Sequence, residues 1–443
     1  MPGNRCTRPW KTFRNEEFVS TADIFVIGLD DGNLRTLEQI PDAQRFRFHP
    51  LLGIEETQEG EIPIEDLLYK AHETLKGFDG DIAAVVGYWD FPVTALVPML
   101  CEQFGLPSAD LEAVVKCEHK YWSRIEQSKV IDEIPKFGIV DLDGEARLPE
   151  GMNYPVWLKP VKSFSSELAF HVHDDREFEA AVEQIREGVG RVGKPFEFVL
   201  DRIELPPEIA AIGGQACLAE ETLTGVQAAT EGYVYRGQVT VNGALDSINY
   251  PDTPCFLRHQ YPSQLPPEIV ARMTEISERV IAQMGLDNST FSIEFFCEPE
   301  TGRVSVLEIN ARHSQSHADM FYAVDGVPNH HCMVRLGLGL DPRLPKGQGR
   351  YDIAAKCYHR RFSDAIVTRI PTAAEIERIQ DDIPGVTIEV VPSEGTRLSD
   401  MPAQDSYSYE LADLFIGADS EADLIAKYER CVEALHFEFD EEG

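Results

Sequence analysis

The stretch Phe291–Arg312 reads FSIEFFCEPETGRVSVLEINAR and decides how the centre of this chain folds. Two apolar runs flank a segment rich in Pro, Glu, Thr and Gly, and this pattern predicts two strands joined by a tight turn. A hairpin centred near Thr301 would place Glu294 opposite Glu308. The stretch therefore predicts an antiparallel hairpin that carries two facing carboxylates.

Three polar side chains at the end of this hairpin are predicted to share one face. Side chains alternate along a strand, so Glu308, Asn310 and Arg312 should project from the same side. Their neighbours Leu307 and Ile309 are expected to point the other way, into a core. The hairpin thus combines oxygen donors and a guanidinium in one place.

Two carboxylates that face each other on a sheet repel each other. A hard divalent cation with oxygen ligands would remove that conflict, and Mg²⁺ bridging phosphates is the usual case. Arg312 suits phosphate or carboxylate oxygens because a guanidinium binds two of them at once. A solvated face of an ordinary hairpin is the alternative interpretation. The convergence of three oxygen donors and an arginine among apolar neighbours favours a metal–phosphate site.

Length and periodicity divide the chain into three predicted units. At roughly 150 residues per domain, the 443 residues correspond to about three domains. Strand and helix signals alternate from Ile24 to about Val115, with buried strands at 24–28 and 82–87, and predict a small α/β layer fold. No GxGxxG follows the first strand, so a dinucleotide fingerprint is not supported. The predicted units are 1–115, 116–340 and 341–443.

Two helices of the middle unit have clear sequence boundaries. Asp174, followed three residues later by Glu177, predicts an N-cap and a capping box, and apolar residues then recur on one helical face. A second helix is expected to begin at Pro266-Pro267 and to end before Gly285. A strand is predicted over 154–159. The unit after residue 340 is expected to mix strands and helices.

Charge and composition exclude several classes of protein. The chain has 40 Lys plus Arg against 76 Asp plus Glu, a formal net charge of -36. Such an acidic surface repels nucleic-acid backbones and anionic membranes, so neither is expected as a partner. The first twenty residues contain no apolar segment, which argues against a secretory signal. The nine cysteines are scattered without a CxxC pair, which predicts reduced thiols in a cytoplasmic protein.

Four segments together resemble the motifs of the ATP-grasp ligases. The run Glu308–Arg312, with Glu294 upstream, is similar to the metal-binding end of that family. Ahead of it, in the order that the family requires, lie segments that resemble two ATP-binding lysines and the adenine hinge, namely 117–120 (CEHK), 156–161 (VWLKPV) and 218–225 (LAEETLTG). The resemblance implies an α/β ATP-grasp fold with an N-terminal Rossmann-like pre-ATP-grasp domain and a small C-terminal α+β module of the biotin-carboxylase-like branch.

The resemblance implies roles for the phosphate and metal side of the site. Lys120 and Lys159 would neutralise ATP phosphates. Lys159 and Arg312 would act in catalysis, with Arg312 bracing the transferring phosphate or the acyl-phosphate. One or two Mg²⁺ ions, or Mn²⁺ in their place, would be held by Glu294, Glu308 and Asn310.

The resemblance also implies the nucleotide contacts. Glu220 would accept a hydrogen bond from the adenine amino group, and backbone groups of Glu221 and Leu223 would pair with the ring. Gln227 stands where the family often has a Glu on the ribose hydroxyls, and it can still form hydrogen bonds there.

One loop departs from the family pattern. Residues 161–168 (VKSFSSEL) lie where the family has a glycine-rich loop over the phosphates, and they contain no glycine. The hydroxyls of Ser165 and Ser166 and nearby backbone N–H groups can still bind phosphate oxygens. A polar surface loop is the alternative interpretation.

Candidate contacts for the acceptor substrate lie in three places. Trp89 follows a predicted buried strand, and α/β sheets bind ligands at such strand ends. Arg258 and His259 form a second candidate pair. The third set continues from Arg312 and comprises His313, Ser314, Ser316 and His317. The i, i+4 spacing of His313 and His317 also suits zinc, but no HExxH pattern accompanies it, so substrate contacts or helix capping are favoured.

The resemblance implies a reaction in which ATP phosphorylates a carboxylate and an amine attacks the acyl-phosphate. The expected activity is a carboxylate–amine ligase that forms an amide or peptide bond from small substrates, one of them an amino acid, and releases ADP and phosphate. A biotin-carboxylase-like carboxylating enzyme and a non-catalytic ATP-binding protein are the alternatives. A homodimer is expected by analogy with the branch resembled.

Overall fold

The computed structural model describes residues 21–164, 167–253, 255–401 and 408–440. These residues form four sheets: a three-stranded, a four-stranded, an eight-stranded and a two-stranded one. Within the described ranges, no helix combines the length and the apolar character that a membrane crossing requires. Eight of the nine cysteines are described, and all eight are buried, as expected for side chains that pack as small apolar groups.

The N-terminal unit is a parallel three-stranded sheet with strand order β2-β1-β3. Every residue of its central strand is buried because helices cover both faces of the sheet. The predicted strands and helices are confirmed. The elements are β1 (Ala22–Ile27), α1 (Asp31–Leu37), β2 (Phe46–Leu51), α2 (Ile54–Gln58), α3 (Ile64–Lys76), β3 (Ile82–Gly87) and α4 (Val93–Phe104).

The next segment forms the four-stranded antiparallel sheet with order β4-β7-β5-β6. Asp174 caps its first long helix, and its carboxylate accepts from the N–H of Glu177. Glu177 reaches back to the N–H of His173 rather than of Asp174, so the predicted capping box is only half formed. The elements are α5 (Leu111–Glu118), α6 (Lys120–Gln127), β4 (Phe137–Val140), β5 (Val156–Pro160), β6 (Phe170–Val172), α7 (Asp175–Gly188), α8 (Gly190–Leu200), α9 (Pro207–Ile212) and β7 (Cys217–Glu221).

The eight-stranded sheet begins in the rest of the middle unit. The helix predicted to start at Pro266-Pro267 is confirmed, and it ends before Gly285, whose φ of 73° favours glycine. The elements are β8 (Val226–Tyr235), β9 (Gln238–Asn249), β10 (Phe256–Tyr261), α10 (Pro267–Met284), β11 (Ser289–Glu298), β12 (Arg303–Asn310), α11 (Ala318–Asp325) and α12 (His330–Gly337).

The last segment extends the same sheet, whose full order is β12-β11-β8-β9-β10-β13-β16-β15. Strand β10 pairs with β13 across the predicted boundary at residue 340, for example Tyr261 with Ala354. A boundary there therefore does not separate two sheets, and one at residue 115 falls inside α5. The elements are β13 (Ile353–Arg361), β14 (Ile366–Arg369), α13 (Ala373–Asp382), β15 (Val386–Val390), β16 (Tyr409–Ala418), α14 (Glu421–Ala434) and β17 (Glu438–Asp440).

Candidate active site

The predicted hairpin is formed by β11 and β12, and its register is confirmed. Glu294 pairs with Glu308, and Ser292 pairs with Asn310. The register shifts just beyond Glu294, where Phe295 pairs with Val306, so Leu307 is an extra residue on β12.

The β-bulge at Leu307 corrects one prediction. Val306 and Ile309 are three positions apart, so on a regular strand they would face opposite sides of the sheet. Both lie in the core because the bulge interrupts the alternation of β12. Leu307 was expected to pack there with Ile309, but it is half-buried and outside that core. The bulge thus sets which residues of β12 turn towards the carboxylate pair.

Arg124 holds the bulge in place. This arginine was not predicted from the sequence. Its guanidinium donates from Nη1 to the carbonyl of Val306 at 3.1 Å and from Nη2 to that of Leu307 at 2.6 Å. Its Nε donates to Glu220 Oε1 at 2.6 Å. One buried side chain of α6 therefore connects the two sheets that flank the site. Its position four residues after Lys120, on the same helical face, is the only sequence signal for it.

The two predicted phosphate-binding lysines lie at the same cleft. Lys120 is the first residue of α6, and its backbone N–H donates to the carbonyl of Val161, which follows β5. Its Nζ is 2.8 Å from Glu308 Oε1. Lys159 lies near the end of β5, and its Nζ is 2.6 Å from Glu220 Oε2. A predicted phosphate-binding lysine, Lys120, and a predicted metal ligand, Glu308, are thus in direct contact.

The Glu220 carboxylate is committed to an internal ion-pair network. Burial alone would raise its pKa, but Arg124 and Lys159 outweigh that effect and lower the pKa of Glu220 to about 2. Each of its oxygens accepts from one of these cations. A contact with the adenine amino group, the role that the resemblance implies, would require one of the ion pairs to break.

The other predicted nucleotide contacts lie along β7 and β8. The N–H of Glu221 donates to the carbonyl of Lys136 at 2.8 Å, so that N–H is already engaged. Leu223 is half-buried in the loop between the two strands. Gln227 lies on β8 and donates to Glu294 Oε2 at 3.2 Å, which ties it to the carboxylate pair. The predicted phosphate contacts Ser165 and Ser166 lie outside the described residues.

The facing carboxylates differ in their electrostatic environment. Burial and the charge of Glu308 raise the pKa of Glu294. For Glu308, burial acts in the same direction, but Lys120 and Lys159 outweigh it and lower the pKa. Among the described residues, no group of three or more His, Cys, Asp or Glu is placed to hold a metal. Glu294 and Glu308 face each other, and Asn310 follows two residues after Glu308 on β12, so the residue types are the oxygen donors that Mg²⁺ or Mn²⁺ prefers.

The substitution Glu294→Gln is expected to stabilise the metal-free protein. An amide of the same shape removes the repulsion from Glu308, which is worth about 1 kcal/mol for directly opposed strand residues. The same change removes a predicted metal ligand, so added Mg²⁺ should no longer raise Tm. Thermal unfolding of both proteins in chelator and in Mg²⁺ measures the two effects. A variant that is less stable than the wild type in chelator would contradict this reading of the pair.

Arg312 lies at the opposite end of this cluster and contacts the N-terminal unit. Its Nε and Nη2 donate to the two carboxylate oxygens of Asp90 at 2.9 and 2.7 Å. Trp89, the predicted residue of this loop, donates instead to the carbonyl of Gly28 at 2.9 Å. Its ring lies so close to Gly28 that a Cβ there would be 2.6 Å from Cδ1. Trp89 thus holds the loop, and its neighbour Asp90 faces the site.

A buried carboxylate organises the predicted acceptor residues. Glu231 on β8 is 1% exposed. Its Oε1 is 2.6 Å from His317 Nδ1 and accepts from the N–H of Ser314, and its Oε2 accepts from Asn329 Nδ2 at 2.9 Å. The Ser314 and Ser316 hydroxyls are bonded to each other at 2.8 Å. Glu231 was missed because nothing in a ten-residue strand distinguishes it before its partners are known.

The histidines of this region have separate partners rather than a common metal. His313 Nδ1 lies 3.2 Å from Thr290 Oγ1, whereas His317 is bonded to Glu231. Burial, with His330 nearby, lowers the pKa of His313 well below its usual value, so its ring is neutral. The two rings therefore belong to separate hydrogen-bond contacts, and their role towards the substrate stays a prediction.

The candidate pair Arg258–His259 is split by the fold. His259 Nδ1 lies 2.9 Å from Ser247 Oγ, and the His259 ring centroid is 5.4 Å from that of His317. His259 therefore lies beside the residues that surround Glu231. Arg258 donates to Gln260 and to Glu421, which is the first residue of α14. Arg258 therefore points away from His259, because adjacent residues of β10 point to opposite faces of the sheet, and its contact with the substrate stays a prediction.

The cations of the cleft are all paired with carboxylates. Besides the contacts given above, Lys162 of the serine-rich loop lies 2.9 Å from Glu118, and both side chains are buried. The cleft therefore balances its charge locally in a chain of net charge -36. The pairs are Lys120–Glu308, Lys159–Glu220, Arg124–Glu220, Lys162–Glu118 and Arg312–Asp90.

Part of the cleft lies in a segment that matches a known domain family. Residues 152–318 match the model of the ATP-grasp domain. The chain contains an ATP-grasp domain. The matched range includes Lys159, Glu220, Glu294, Glu308 and Arg312. The resemblance drawn from the four motifs is confirmed, and so is the α/β ATP-grasp fold.

Solved structures of similar fold cover nearly the whole chain. The L-amino acid ligase of Bacillus licheniformis is 14% identical, with a TM-score of 0.70 over 95% of this chain and 99% of that one. The biotin carboxylase domain of the 2-oxoglutarate carboxylase of Hydrogenobacter thermophilus, a dimer in complex with MgADP and bicarbonate, is 15% identical. Its TM-score is 0.62 over 95% and 91% of the two chains. At these identities the likeness shows a shared fold.

One curated protein is similar in sequence to a short segment of this chain. The large chain of carbamoyl phosphate synthase from Kocuria rhizophila is 40% identical over 68 residues, which are 15% of this chain. The match spans 6% of the length of that protein.

Proposed function

We propose that this ATP-grasp protein is an ATP-dependent carboxylate–amine ligase with an amino-acid substrate. The observation that carries the proposal is the contact between Lys120 Nζ and Glu308 Oε1 at 2.8 Å. That contact joins a phosphate-binding lysine to a carboxylate of the metal pair, while Arg312 lies on the same side of the hairpin. A phosphate chain with its cation fits such an arrangement, because lysines and a metal then neutralise the same group.

The proposed metal ligands are Glu294, Glu308 and Asn310. A bound Mg²⁺ would supply Lewis-acid stabilisation of phosphate charge. Its binding would also relieve the repulsion of the paired carboxylates and free Lys120 to contact phosphate oxygens. Lys159 would meet the phosphates from β5.

The proposed reaction has two steps. An oxygen of the substrate carboxylate attacks the γ-phosphorus as the bond to the β–γ bridging oxygen breaks, so ADP leaves and an acyl-phosphate forms. The amine nitrogen then attacks the acyl carbon, phosphate leaves and the nitrogen loses a proton. Arg312 would hold the oxygens of the reacting carboxylate, and the buried setting would exclude water, which would otherwise hydrolyse the acyl-phosphate.

The adenine is proposed to bind beside the hinge between β7 and β8. Since both oxygens of Glu220 are engaged, we assign adenine recognition to backbone groups near Leu223. Trp157 pairs with Glu220 on the sheet face that carries Lys159, and its ring stacks on His171 at a centroid distance of 4.9 Å. These rings would offer an apolar surface to the base.

The acceptor substrate is proposed to bind near Glu231, His259 and His317. The buried carboxylate with its neutral and polar neighbours suits an amino acid, whose ammonium and carboxylate groups need opposite partners. The L-amino acid ligase similar in fold is consistent with this choice. We further propose a cytoplasmic homodimer, for which light scattering of the purified protein is the test.

A phosphate-release screen tests the proposed function. Amino acids and small carboxylates are offered singly and in pairs with ATP and Mg²⁺, and biotin with bicarbonate is a separate arm. Release that depends on a pair, with an amide product of the summed mass less water, is expected. Phosphate release only with biotin and bicarbonate would contradict the ligase activity and indicate a carboxylating enzyme. ATP binding without release under every condition would support a non-catalytic protein.

A further inference from the structure

The N-terminal unit contributes a carboxylate to the centre of the proposed site. Asp90 follows β3 and contacts Arg312 through both oxygens, although 222 residues separate them in the chain. The side chains are 26% and 16% exposed, so the pair lies at the wall of the cleft rather than on the outer surface. Parallel strands end at this edge of the sheet, where α/β folds bring side chains to a ligand.

The surroundings of Asp90 belong to the phosphate region. The Asp90 carboxylate interacts electrostatically with Lys162 and Lys120 as well as with Arg312. Its negative charge in turn acts on the carboxylate of Glu308. Its loop is rigid because Phe91 is fully buried and Trp89 is bonded to Gly28. The carboxylate is therefore held by its backbone as well as by its partner.

The two contacts leave a defined part of the guanidinium for a ligand. Asp90 uses the edge formed by Nε and Nη2, while Nη1 has only a long contact of 3.4 Å to the carbonyl of His313. A planar guanidinium fixed along one edge cannot rotate, so the N–H groups of Nη1 and the second N–H of Nη2 have fixed directions. Those groups suit two oxygens of a carboxylate or acyl-phosphate.

We propose that Asp90 is the positioning residue for Arg312: it orients the guanidinium so that its remaining N–H groups face the reacting carboxylate. The inference rests on the proposed function, because it needs Arg312 to contact the substrate. It adds that the N-terminal unit helps to build the site through one side chain. Asp90 itself touches neither substrate nor metal.

Kinetics of Asp90→Asn and Asp90→Ala test this role. A misdirected guanidinium should lower kcat about 100-fold, with KM for ATP nearly unchanged, because the nucleotide contacts lie elsewhere. The matched control is Asp23→Asn. Asp23 is 2.8 Å from Arg47 Nη2 and lies at the other end of the same sheet, so its loss removes a similar ion pair without reaching the cleft. That control should retain the wild-type kcat.

Chemical rescue keeps the test decisive even where an Asp90 variant folds poorly. In Arg312→Ala, added guanidinium chloride should restore part of kcat by binding Asp90 in the vacated space, whereas methylammonium chloride should not. In Asp90→Asn with Arg312→Ala, guanidinium should restore nothing. A merely structural ion pair would let the salt raise Tm without raising turnover.

The outcomes separate this inference from the proposed function. Wild-type kcat in Asp90→Asn with an inactive Arg312→Ala would overturn the positioning role alone. Equal rescue with and without Asp90 would do the same. Full activity in Arg312→Ala would remove Arg312 from the reaction and overturn the positioning role with it, whereas only the lack of pair-dependent phosphate release in the wild type would overturn the proposed function.

Discussion

Glu308→Gln is expected to abolish ADP release while the protein stays folded. The amide keeps the shape of the side chain and can still accept from Lys120, so the local packing should survive. It cannot supply the charge that a divalent cation needs between two strands, and Glu294 would be left as the only carboxylate there. Loss of metal-held phosphate charge should lower kcat by about 1,000-fold or more. Coupled-enzyme detection of ADP measures the effect.

The matched control for that experiment is Glu300→Gln in the same hairpin. Glu300 is exposed in the turn between β11 and β12, at the end of the hairpin away from the paired carboxylates. It should retain wild-type activity and Mg²⁺ dependence. Unchanged turnover in Glu308→Gln, with Mg²⁺ still required, would remove Glu308 from the metal site.

Arg124→Gln is expected to damage both the stability and the activity. The change breaks a buried ion pair with Glu220 and removes the donors to the carbonyls of Val306 and Leu307. Loss of one partner of a buried pair costs about 3 kcal/mol in the free energy of unfolding. The bulge that orients Glu308 also loses its support, which should lower kcat by about 10- to 100-fold, as for other residues that orient metal ligands. Thermal unfolding and steady-state kinetics measure the two effects.

Arg147→Gln serves as the control for Arg124. Arg147 forms an exposed ion pair with Glu145, with side chains 76% and 78% exposed, and such pairs contribute little to stability. Its Tm and kcat should match those of the wild type. A Tm of Arg124→Gln equal to that of this control would show that the bridge between the two sheets carries no stability.

The cleft contains paired charges, although the chain as a whole is strongly acidic. Each cation gathered there faces a carboxylate, so the nucleotide site is close to neutral before ATP binds. An incoming phosphate chain must therefore take the place of carboxylates as partner of Lys120 and Lys159. Mg²⁺ can bind Glu308 in turn, while Glu220 keeps Arg124 as its partner, which gives a physical reason for nucleotide and metal to bind together.

The predictions that held are those in which local chemistry decides the structure. The pairing of Glu294 with Glu308 follows from a short turn between two apolar runs, and the turn sets the register of a hairpin. The cap at Asp174 and the glycine after α10 were likewise readable, because capping involves residues within one turn of the helix. The motifs of the two lysines and the hinge indicated the ATP-grasp fold for the same reason.

The prediction for Leu307 failed because a β-bulge breaks the alternation of β12. The register of β12 against β11 shifts at Leu307. A bulge adds one residue and changes which positions face the core. Periodicity alone cannot reveal it, because the bulge depends on the partner strand.

The chain by itself determined the residue types of the site, their order and the hairpin that carries the metal pair. Only the tertiary structure decided which side chains complete it. Arg124 reaches the carbonyl of Val306 across 182 residues of sequence, and Asp90 reaches Arg312 across 222. Such partners come together only when separate sheets pack, since the desolvated carboxylates and guanidiniums must find one another within that packing. Local sequence patterns do not show which residues that are far apart in the chain will be in contact.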